Sequence, residues 1–322
     1  MPDDLAMNAP QVRVTFVIPA YNEERYLPSV LGAIRRYVEQ VAYEIILVDN
    51  GSSDNTVSIA MANGARVLKE PYRSIGGLRN LGAGASRGKY LVFLDADVVL
   101  RPSWKREFLR VLDELERNGR VITGSRYGVR DQPSWIEKHW FLPMTLEKAN
   151  YINAGHLIVS KEVFTQVGGF DESLRTGEDY ELCMRAKSQG VAIVNDPKLE
   201  VIHEGYPKTV WAFVKREKWH GGQDFESLRS FRNSWPAIAA VVYWTVSIVA
   251  IGLAIHFSSF GYVVAGFCLT TTLCCLAALK KRSQYQLDVI PYLLIYHIYF
   301  FARGLSLAER IAGIHKRKRN VL

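Results

Sequence analysis

Short apolar runs alternate with amphipathic stretches along the first 125 residues, and this alternation predicts a sheet covered by helices. The apolar runs are rich in β-branched residues and end at polar or Gly-containing turns, which is typical of buried strands. They predict strands at Val12–Pro19, Tyr43–Asp49, Ala65–Lys69, Tyr90–Leu94 and Val121–Ser125. Helices are predicted between them, at Glu24–Gln40, Asn55–Asn63, Leu78–Ser86 and Ser103–Gly119. This rhythm indicates an α/β fold, with helices on both faces of a mostly parallel sheet.

A different pattern begins at Ser234, where charged residues disappear for about 45 residues. No Asp, Glu, Lys or Arg occurs between Ser234 and Leu279, a length that suits two membrane-spanning helices. Small and polar residues at 256–261 form a turn signal, so we expect a hairpin of Pro236–Phe257 and Ser259–Leu279. A buried helix pair in a soluble core is the alternative, but uniform apolarity without a polar face disfavours it.

A third apolar run, Val289–Ala302, is followed by Arg303 and a basic C-terminal segment. Because the run is shorter than a full span, we expect an interfacial helix at about 289–307, with the basic segment against anionic lipid headgroups. A third crossing is the alternative. Basic residues flank the hairpin on both sides and its turn has none, which predicts that both flanks are cytoplasmic.

These patterns predict two domains, a cytoplasmic catalytic domain at 1–232 and a membrane domain at 233–322, in the inner membrane of the cell. Residues 1–10 lack the apolar core of a secretory signal. The net charge of +8 suits contact with membrane lipids, and nucleic acid is not expected as a partner because no recognition motif accompanies the charge. The four cysteines have neither disulfide nor zinc spacing.

Polar residues follow three of the predicted strands, in Pro19–Glu23, Asp49–Asp54 and Asp95-Ala96-Asp97. The carboxyl ends of parallel strands meet at one edge of a sheet, where ligands bind. Two carboxylates there can hold a divalent cation, and an aromatic side chain with a further carboxylate suits a base and a ribose. Each loop alone could be an ordinary turn or helix cap. GxGxxG and GxxxxGK[ST] loops are absent, which disfavours dehydrogenase and P-loop functions.

Taken together, these segments resemble the inverting family 2 glycosyltransferases of the GT-A fold. The matching segments are Phe16–Glu24, Val48–Thr56, Arg79–Gly82, Gly88–Tyr90 with Asp95–Asp97, Gly168–Glu172 and Gly177–Leu182. The resemblance covers roughly residues 12–222. It implies a Rossmann-like catalytic domain that transfers a sugar from a nucleotide-sugar donor, with UDP as the expected nucleotide.

The resemblance also implies roles for individual residues on the donor side. Contacts with the nucleoside are expected from Pro19, Ala20, Tyr21, Glu23 and Asp49, and Arg79 is expected near the donor nucleotide. Asp95 would contact the ribose or sugar and assist the metal. Asp97 would bind the cation, Mg2+ or Mn2+, with His203 as a further ligand.

A carboxylate is needed on the acceptor side, because a sugar hydroxyl is too weak an acid to ionise unaided. Asp179 is the expected general base, with Glu178 beside it as a second catalytic acid, although acids here would also suit a helix start. A base favours a hydroxyl acceptor, lipid-linked or part of a cell-envelope glycan. Transfer to polyprenyl phosphate, which is already ionised, is the alternative.

Two other classes of protein stay open. A nucleotidyltransferase would use a similar sheet and acidic metal site, but it would be expected to carry a Gly-rich basic loop after the first strand, which Pro19–Glu24 lacks. A non-catalytic membrane module could retain the fold without turnover. The complete set of Asp49, Asp95, Asp97 and Asp179 argues against loss of activity.

Overall fold

The structure is a computed structural model that describes residues 11–145, 150–285 and 289–312. The described chain forms two compact units, one of residues 11–130 and 150–205, the other of residues 131–145 and 206–312. The predicted domain boundary after residue 232, with its cytoplasmic and membrane sides, stays a prediction. The first ten residues and the basic segment at 315–319 lie outside the described residues.

The strands of the first unit form two sheets. In chain order they are β1 (Val14–Ala20), β2 (Tyr43–Asp49), β3 (Arg66–Lys69), β4 (Tyr90–Leu94), β5 (Val98–Leu100), β6 (Val121–Gly124), β7 (Tyr127–Gly128), β8 (His156–Ser160), β9 (Ala192–Asn195) and β10 (Val201–His203). The larger sheet has the order β3-β2-β1-β4-β8-β6-β9, and the smaller has the order β5-β10-β7. In the larger sheet, β8 runs antiparallel to its neighbours and the other pairs are parallel. The predicted mostly parallel sheet is confirmed.

The helices of both units are, in chain order, α1 (Leu27–Tyr37), α2 (Thr56–Ala62), α3 (Ile75–Ala85), α4 (Trp104–Asn118), α5 (Leu142–Thr145), α6 (Lys161–Val167), α7 (Glu178–Ser188), α8 (Val210–Asp224), α9 (Leu228–Asn233), α10 (Trp235–His256), α11 (Gly261–Tyr285) and α12 (Val289–Ile311). A π-helical turn, Glu137–Phe141, precedes α5. The second unit contains α5 and α8 to α12. Helix α3 begins three residues before the predicted start because the Ser74 hydroxyl accepts a hydrogen bond from the Gly77 N–H and caps it.

Strand β4 positions the first acidic loop because it is buried on both faces. All five of its side chains are buried. Leu91 and Phe93 pack in one core cluster with Phe164 and Phe170, while Val92 and Leu94 pack in the other. Successive side chains of a strand point to opposite faces, so β4 is held from both sides. The chain therefore leaves the sheet at Asp95 from a fixed position.

His156, at the start of β8, is fully buried beside the end of β6. Its Nδ1 accepts a hydrogen bond from the Ser125 N–H at 3.0 Å, which places the proton of the neutral ring on Nε2. Burial lowers the pKa of His156 to about 4. The ring therefore stays neutral in the fold at pH values where a solvent-exposed histidine becomes charged.

Acid should destabilise the fold through His156. The unfolded chain takes up a proton below a pH of about 6.5, whereas the folded chain does so only near pH 4, so stability is lost as the pH falls between these values; the expected loss from pH 7 to pH 5 is roughly 2 kcal/mol. Melting temperatures of the purified full chain in detergent would measure it. His156→Asn, which keeps an acceptor for Ser125, should show a smaller drop than the parent chain. An equal drop would contradict the assignment.

The second unit contains three helices that are long and apolar enough to cross a membrane, Trp235–His256, Gly261–Lys280 and Val289–Ile311. The first two match the predicted hairpin. The expectation that the third run is shorter than a full span is wrong, because α12 has 23 residues and continues nine residues beyond Ala302 to Ile311. Charged side chains in this extension have partners on α8, which the apolar pattern alone could not predict.

Candidate active site

The two acids after β4 face different partners because the chain turns between them. The Val98 N–H donates to the Asp95 carbonyl at 3.0 Å, which closes the turn, and the Asp95 N–H donates to the Gly155 carbonyl at 3.1 Å. In an untwisted strand, residues 95 and 97 would point to the same face. The turn separates the predicted sugar-side acid, Asp95, from the predicted metal-side acid, Asp97.

Asp97 lies next to His203 because β5 and β10 pair in antiparallel register, with Val98 opposite His203. The His203 Nδ1 lies 3.5 Å from the Asp97 Oδ2, and the Glu204 N–H donates to the Asp97 carbonyl at 2.8 Å. Burial raises the pKa of Asp97 above its ordinary value, and the neighbouring His203 opposes this change. Two residues that are 106 positions apart in the sequence thus meet at the end of the small sheet.

These two side chains fit a divalent cation that is completed by substrate oxygens. Within the ranges that the structure describes, no group of three or more His, Cys, Asp or Glu side chains could hold a metal ion. Mg2+ is commonly held by one or two protein carboxylates together with substrate phosphates, and imidazole is also a suitable ligand for Mn2+. Asp97 and His203 present one carboxylate and one imidazole to the same place. The predicted roles of both as metal ligands stay predictions.

Gly205 allows the Asp97 carboxylate to lie against the backbone after β10, since a Cβ at this position would overlap Asp97 Oδ2. Gly205→Ala should therefore displace the carboxylate and weaken Mn2+ binding roughly tenfold. Titration of the full chain with Mn2+ in the presence of UDP, followed by electron paramagnetic resonance, would measure the affinity. Gly84→Ala is the matched control, because no atom lies within 4 Å of its added Cβ. Equal affinities in both variants would rule out this packing role.

Arg79 joins the two acidic motifs of the site through a buried bridge. Its guanidinium bonds Asp95 Oδ1 and Glu178 Oε1, both at 2.7 Å. The Arg79 side chain is only 4% exposed and lies over the Phe170 ring, 5.6 Å from its centroid. Burial raises the pKa of Glu178 above its ordinary value although Arg79 opposes the change. Arg79 was expected near the donor nucleotide, and the structure has it between two protein carboxylates.

Removing this bridge should destabilise the fold. Arg79→Met leaves two carboxylates without their cation in a buried setting, so we expect a loss of about 3 kcal/mol in the free energy of unfolding. Arg73→Met is the matched control, because Arg73 pairs with Glu172 where both side chains are over a third exposed, and such pairs contribute about 1 kcal/mol or less. Denaturant titration of both variants would compare them. Similar losses would contradict a special role for the buried bridge.

Asp179, on the first turn of α7, points to the loop before β8. Its Oδ2 lies 3.4 Å from both the Asn153 Nδ2 and the Ala154 backbone nitrogen. The next residue, Gly155, touches Asp95, because a Cβ there would overlap the Asp95 Oδ2. Asp179 and Asp95 therefore both contact the three-residue segment 153–155. Glu178 forms an ion pair with Arg79 instead. Its role as a second catalytic acid stays a prediction.

The residues predicted for the nucleoside lie at the ends of β1 and β2. The register of these strands pairs Ala20 with Asp49 and Pro19 with Val48. The Asp49 carboxylate accepts hydrogen bonds from the N–H groups of Gly51 and Ser52 at 3.1 and 3.2 Å. A depression of about 480 Å³ opens beside it; its lining includes Asp49, Ser52, Asp54, Lys69 and Pro71. Tyr21 follows β1 and is partly exposed.

Glu23 links this nucleoside region to the acidic loop. Burial raises the pKa of Glu23 to about 8, and the negative charges of Asp97, Asp95 and Asp54 contribute to the rise. An interaction with all three acids requires that the loop after β1 approach the loop after β4. Glu23 is therefore near the acidic loop as well as near the residues predicted for the nucleoside.

The chain from the end of β6 to the start of β7 supplies two further residues that the sequence analysis missed. The Tyr127 ring lies 5.2 Å from the His203 ring, and its hydroxyl lies beside Gly155 and the Asp95 carboxylate. The Arg126 guanidinium lies over the Tyr151 ring at 5.3 Å, and its buried Nε has no hydrogen-bond partner among the described residues. Tyr151 in turn contacts Tyr180, next to Asp179, with ring centroids 5.6 Å apart. The position of Arg126 and Tyr127 directly after a predicted strand was the sequence signal that could have indicated them.

A comparison with protein-family models covers the part of the chain that contains the first half of this site. The model of glycosyl transferase family 2 matches residues 15–168, which include β1 to β4 and their loops. These residues, a little under half of the chain, match glycosyl transferase family 2. The protein is therefore a glycosyltransferase, as the resemblance of its motifs implied.

Relatives of the glycosyltransferase agree with this assignment. An uncharacterized glycosyltransferase of Mycobacterium tuberculosis is 28% identical over 188 residues, which is 56% of this chain and 82% of the relative. A dolichyl-phosphate beta-glucosyltransferase of Drosophila melanogaster is 37% identical over 105 residues, 28% of this chain and 32% of that enzyme. This second match spans about a third of the length of its relative.

A solved structure supports the fold of the glycosyltransferase. A mannosyltransferase from Pyrobaculum calidifontis, in complex with GDP-Man and Mn2+, superposes with a TM-score of 0.52 at 16% identity, covering 94% of this chain and 89% of that one. The predicted GT-A fold is confirmed. Three helices that could cross a membrane accompany it, so the predicted membrane-anchored class is confirmed as well.

Proposed function

We propose that the glycosyltransferase transfers a sugar, with inversion, from a UDP-sugar to a hydroxyl group of a lipid-linked or glycan acceptor at a membrane. The observation that supports this proposal is that Asp179 and Asp95 both contact the short Asn153–Gly155 segment. Two acids held at one short segment would allow a donor sugar at Asp95 to lie near an acceptor hydroxyl at Asp179.

On the donor side, Asp49 would accept a hydrogen bond from the base, and Pro19, Ala20, Tyr21 and Glu23 would surround the nucleoside. Asp95 would contact the sugar or ribose, with its carboxylate held in place by Arg79. Asp97 and His203 would hold Mg2+ or Mn2+. When bound, such an ion supplies stabilisation of the negative charge that develops on the leaving diphosphate.

On the acceptor side, Asp179 would act as the general base. It accepts the proton of the acceptor hydroxyl while the hydroxyl oxygen forms a bond to the anomeric carbon. The bond between that carbon and the diphosphate oxygen breaks, and its electron pair leaves with the nucleoside diphosphate. Because the oxygen attacks from the face opposite the leaving group, the configuration inverts.

A second acceptor, polyprenyl phosphate, is favoured by a separate observation. Arg126 has a guanidinium stacked on Tyr151 and no ion pair with another residue that the structure describes. A guanidinium is well suited to a phosphate group. The name of the Drosophila relative, a dolichyl-phosphate beta-glucosyltransferase, agrees with an acceptor of this kind. In such a transfer the phosphate oxygen attacks directly and Asp179 has no proton to remove.

We propose that the catalytic part faces the cytoplasm at the inner membrane. The proposal is supported by basic residues on both sides of the α10–α11 hairpin and their absence from its turn, because positive charge is retained on the cytoplasmic side. Membrane lipids and a lipid-linked acceptor would then meet the enzyme at the same surface.

A thermal-shift panel tests the proposed donor. The purified full chain in detergent would be heated with UDP-sugars or GDP-sugars, each with Mn2+ or with a chelator. A ligand that binds only the folded state raises the melting temperature. At a hundredfold excess over its dissociation constant, it adds roughly 2.7 kcal/mol to the free energy of unfolding. We expect a UDP-sugar to give the largest rise, and only with Mn2+. A larger rise with a GDP-sugar would contradict UDP as the donor nucleotide. No rise with any donor would favour the alternative that the protein is a non-catalytic membrane module.

A further inference from the structure

Helix α12 is bound along one face to α8. Arg303 pairs with Glu217 and Asp224 of α8, and Lys218 of α8 pairs with Glu309 at 2.6 Å. Glu217 is only 2% exposed. One face of α12 is thus occupied by charged partners.

Closer to its start, the same face of α12 contacts the π-helical turn. The Trp140 ring lies 4.8 Å from the Tyr299 ring and 5.4 Å from the Tyr296 ring, and His139 contacts Tyr292. Residues 292, 296, 299, 303 and 306 follow helical spacing, so they share one side of α12. This whole side is covered by protein.

The C-terminal end of α12, from Arg303 onward, must lie outside the hydrocarbon of a bilayer, because its partner α8 does. Helix α8 has five charged residues within its ten-residue stretch 215–224, which is not compatible with burial among lipid chains. It is followed by the short helix α9 and then by α10, so α8 lies on the side where α10 begins. The ion pairs of Arg303 and Glu309 therefore hold the C-terminal end of α12 on that same side.

The beginning of α12 lies on this side as well. The Lys280 ammonium, near the end of α11, lies 5.7 Å from the ring centroid of Trp235, the first residue of α10. Helix α11 ends at Tyr285 and α12 begins at Val289. A spanning helix of 23 residues would place its ends about 34 Å apart, on opposite sides of the bilayer. The contacts of α12 leave both of its ends on one side.

The opposite side of α12 is apolar and exposed. Ile290 is 73% exposed, Leu294 53% and Phe301 44%. These three positions are spaced by four and seven residues, so they share one side of the helix. That side is opposite to the residues that contact α8. Such a helix, with one polar face covered by protein and one bare apolar face, has the character of a helix that lies in a membrane surface.

We propose that α10 and α11 cross the bilayer while α12 lies along a single leaflet, with Ile290, Leu294 and Phe301 against the acyl chains. Lipid acyl chains are the partner expected for this apolar face, because the face is continuous with the apolar hairpin. Phe300 and Phe301 contact Trp235 and Trp244 of α10. Ala312 then lies on the same side as α8, and the helices of the described chain make two crossings.

Spin-label depth measurements test this arrangement. Single cysteines would replace Ile290, Leu294 and Phe301 in a full chain whose four native cysteines are alanine, reconstituted in lipid nanodiscs. Relative accessibility to oxygen and to a nickel chelate reports the depth of each label. If α12 lies in the leaflet, the three labels have similar depths within the hydrocarbon; if it crosses, residues 290 and 301 differ by about 16 Å. A gradient of that size, or three labels in water, would overturn the proposal.

Helix α10 provides the matched control in the same nanodiscs. Ile238, near its start, and Thr245, near its centre, are both exposed, and a crossing helix should separate their labels by about 10 Å in depth. Labelling from one side of sealed vesicles adds a second readout, with an impermeant maleimide and Ser227→Cys, Ser259→Cys or Ala312→Cys. We expect residue 312 to react from the same side as residue 227 and opposite to residue 259. Reaction of residue 312 together with residue 259 would contradict two crossings.

Discussion

Asp179→Asn is expected to lower the rate of sugar transfer to a hydroxyl acceptor roughly 10³-fold, the usual contribution of a general base. Asparagine keeps the size of the side chain and its contact with the Ala154 N–H, but it cannot take up the proton that the acceptor must lose. The donor should bind as before, because the proposed role of Asp179 is with the acceptor and not with the donor. Initial rates with saturating donor, together with the donor-induced thermal shift, would separate the two effects.

The paired variant Arg126→Gln distinguishes the two proposed acceptors. If the acceptor is a hydroxyl, Asp179→Asn abolishes transfer and Arg126→Gln has a small effect. If the acceptor is polyprenyl phosphate, Arg126→Gln raises KM for the acceptor and Asp179→Asn retains activity, because no proton must be removed. Full activity of Asp179→Asn on a hydroxyl acceptor would exclude Asp179 as the base.

Asp97→Ala should abolish metal-dependent turnover, with a loss of at least roughly 10³-fold, because the charge on the departing diphosphate would lose its stabilisation. The thermal shift caused by Mn2+ with a nucleotide should disappear in the same variant. Donor hydrolysis and transfer, each measured across a range of Mn2+ concentrations, would record the loss. His203→Gln should raise the Mn2+ concentration needed for half-maximal activity without removing activity, since the carboxylate remains.

The control for Asp97→Ala is Asp113→Ala, on the exposed surface of α4, where the side chain is 65% exposed. This variant removes one negative charge far from the acidic loop and should keep its activity and its Mn2+ dependence. Mn2+-dependent transfer by Asp97→Ala at the parental rate would show that Asp97 is not the ligand.

Much of the fold could be predicted because strand periodicity is a local property. Strand β4 is a continuous apolar run with an abrupt acidic end, and both features were recognisable in the sequence. The start of α3 was placed too late, since the Ser74 cap precedes a Gly-rich turn of weak helix propensity. Helix α12 is longer than the apolar run predicts, because its final residues pair with charged side chains more than 80 positions earlier in the chain.

The candidate site was predictable where a motif lies in one loop and less so where partners come from distant segments. Asp95 and Asp97 follow a strand and were readily assigned roles. The bridge from Arg79 to Glu178 joins residues 99 positions apart, and no pattern in either segment indicates the other. Arg126 and Tyr127 follow a short strand in a segment without acids, so they attracted no chemical interpretation.

The Arg79 bridge also determines the shortest fragment of this enzyme that keeps the site together. A soluble fragment that ended near residue 168, where the family match ends, would lack Glu178 and leave the buried guanidinium with Asp95 alone. It would also lack β10 and His203, which pair with the loop of Asp97. Any shortened form intended for ligand soaking or inhibitor screening should therefore extend at least through Gly205.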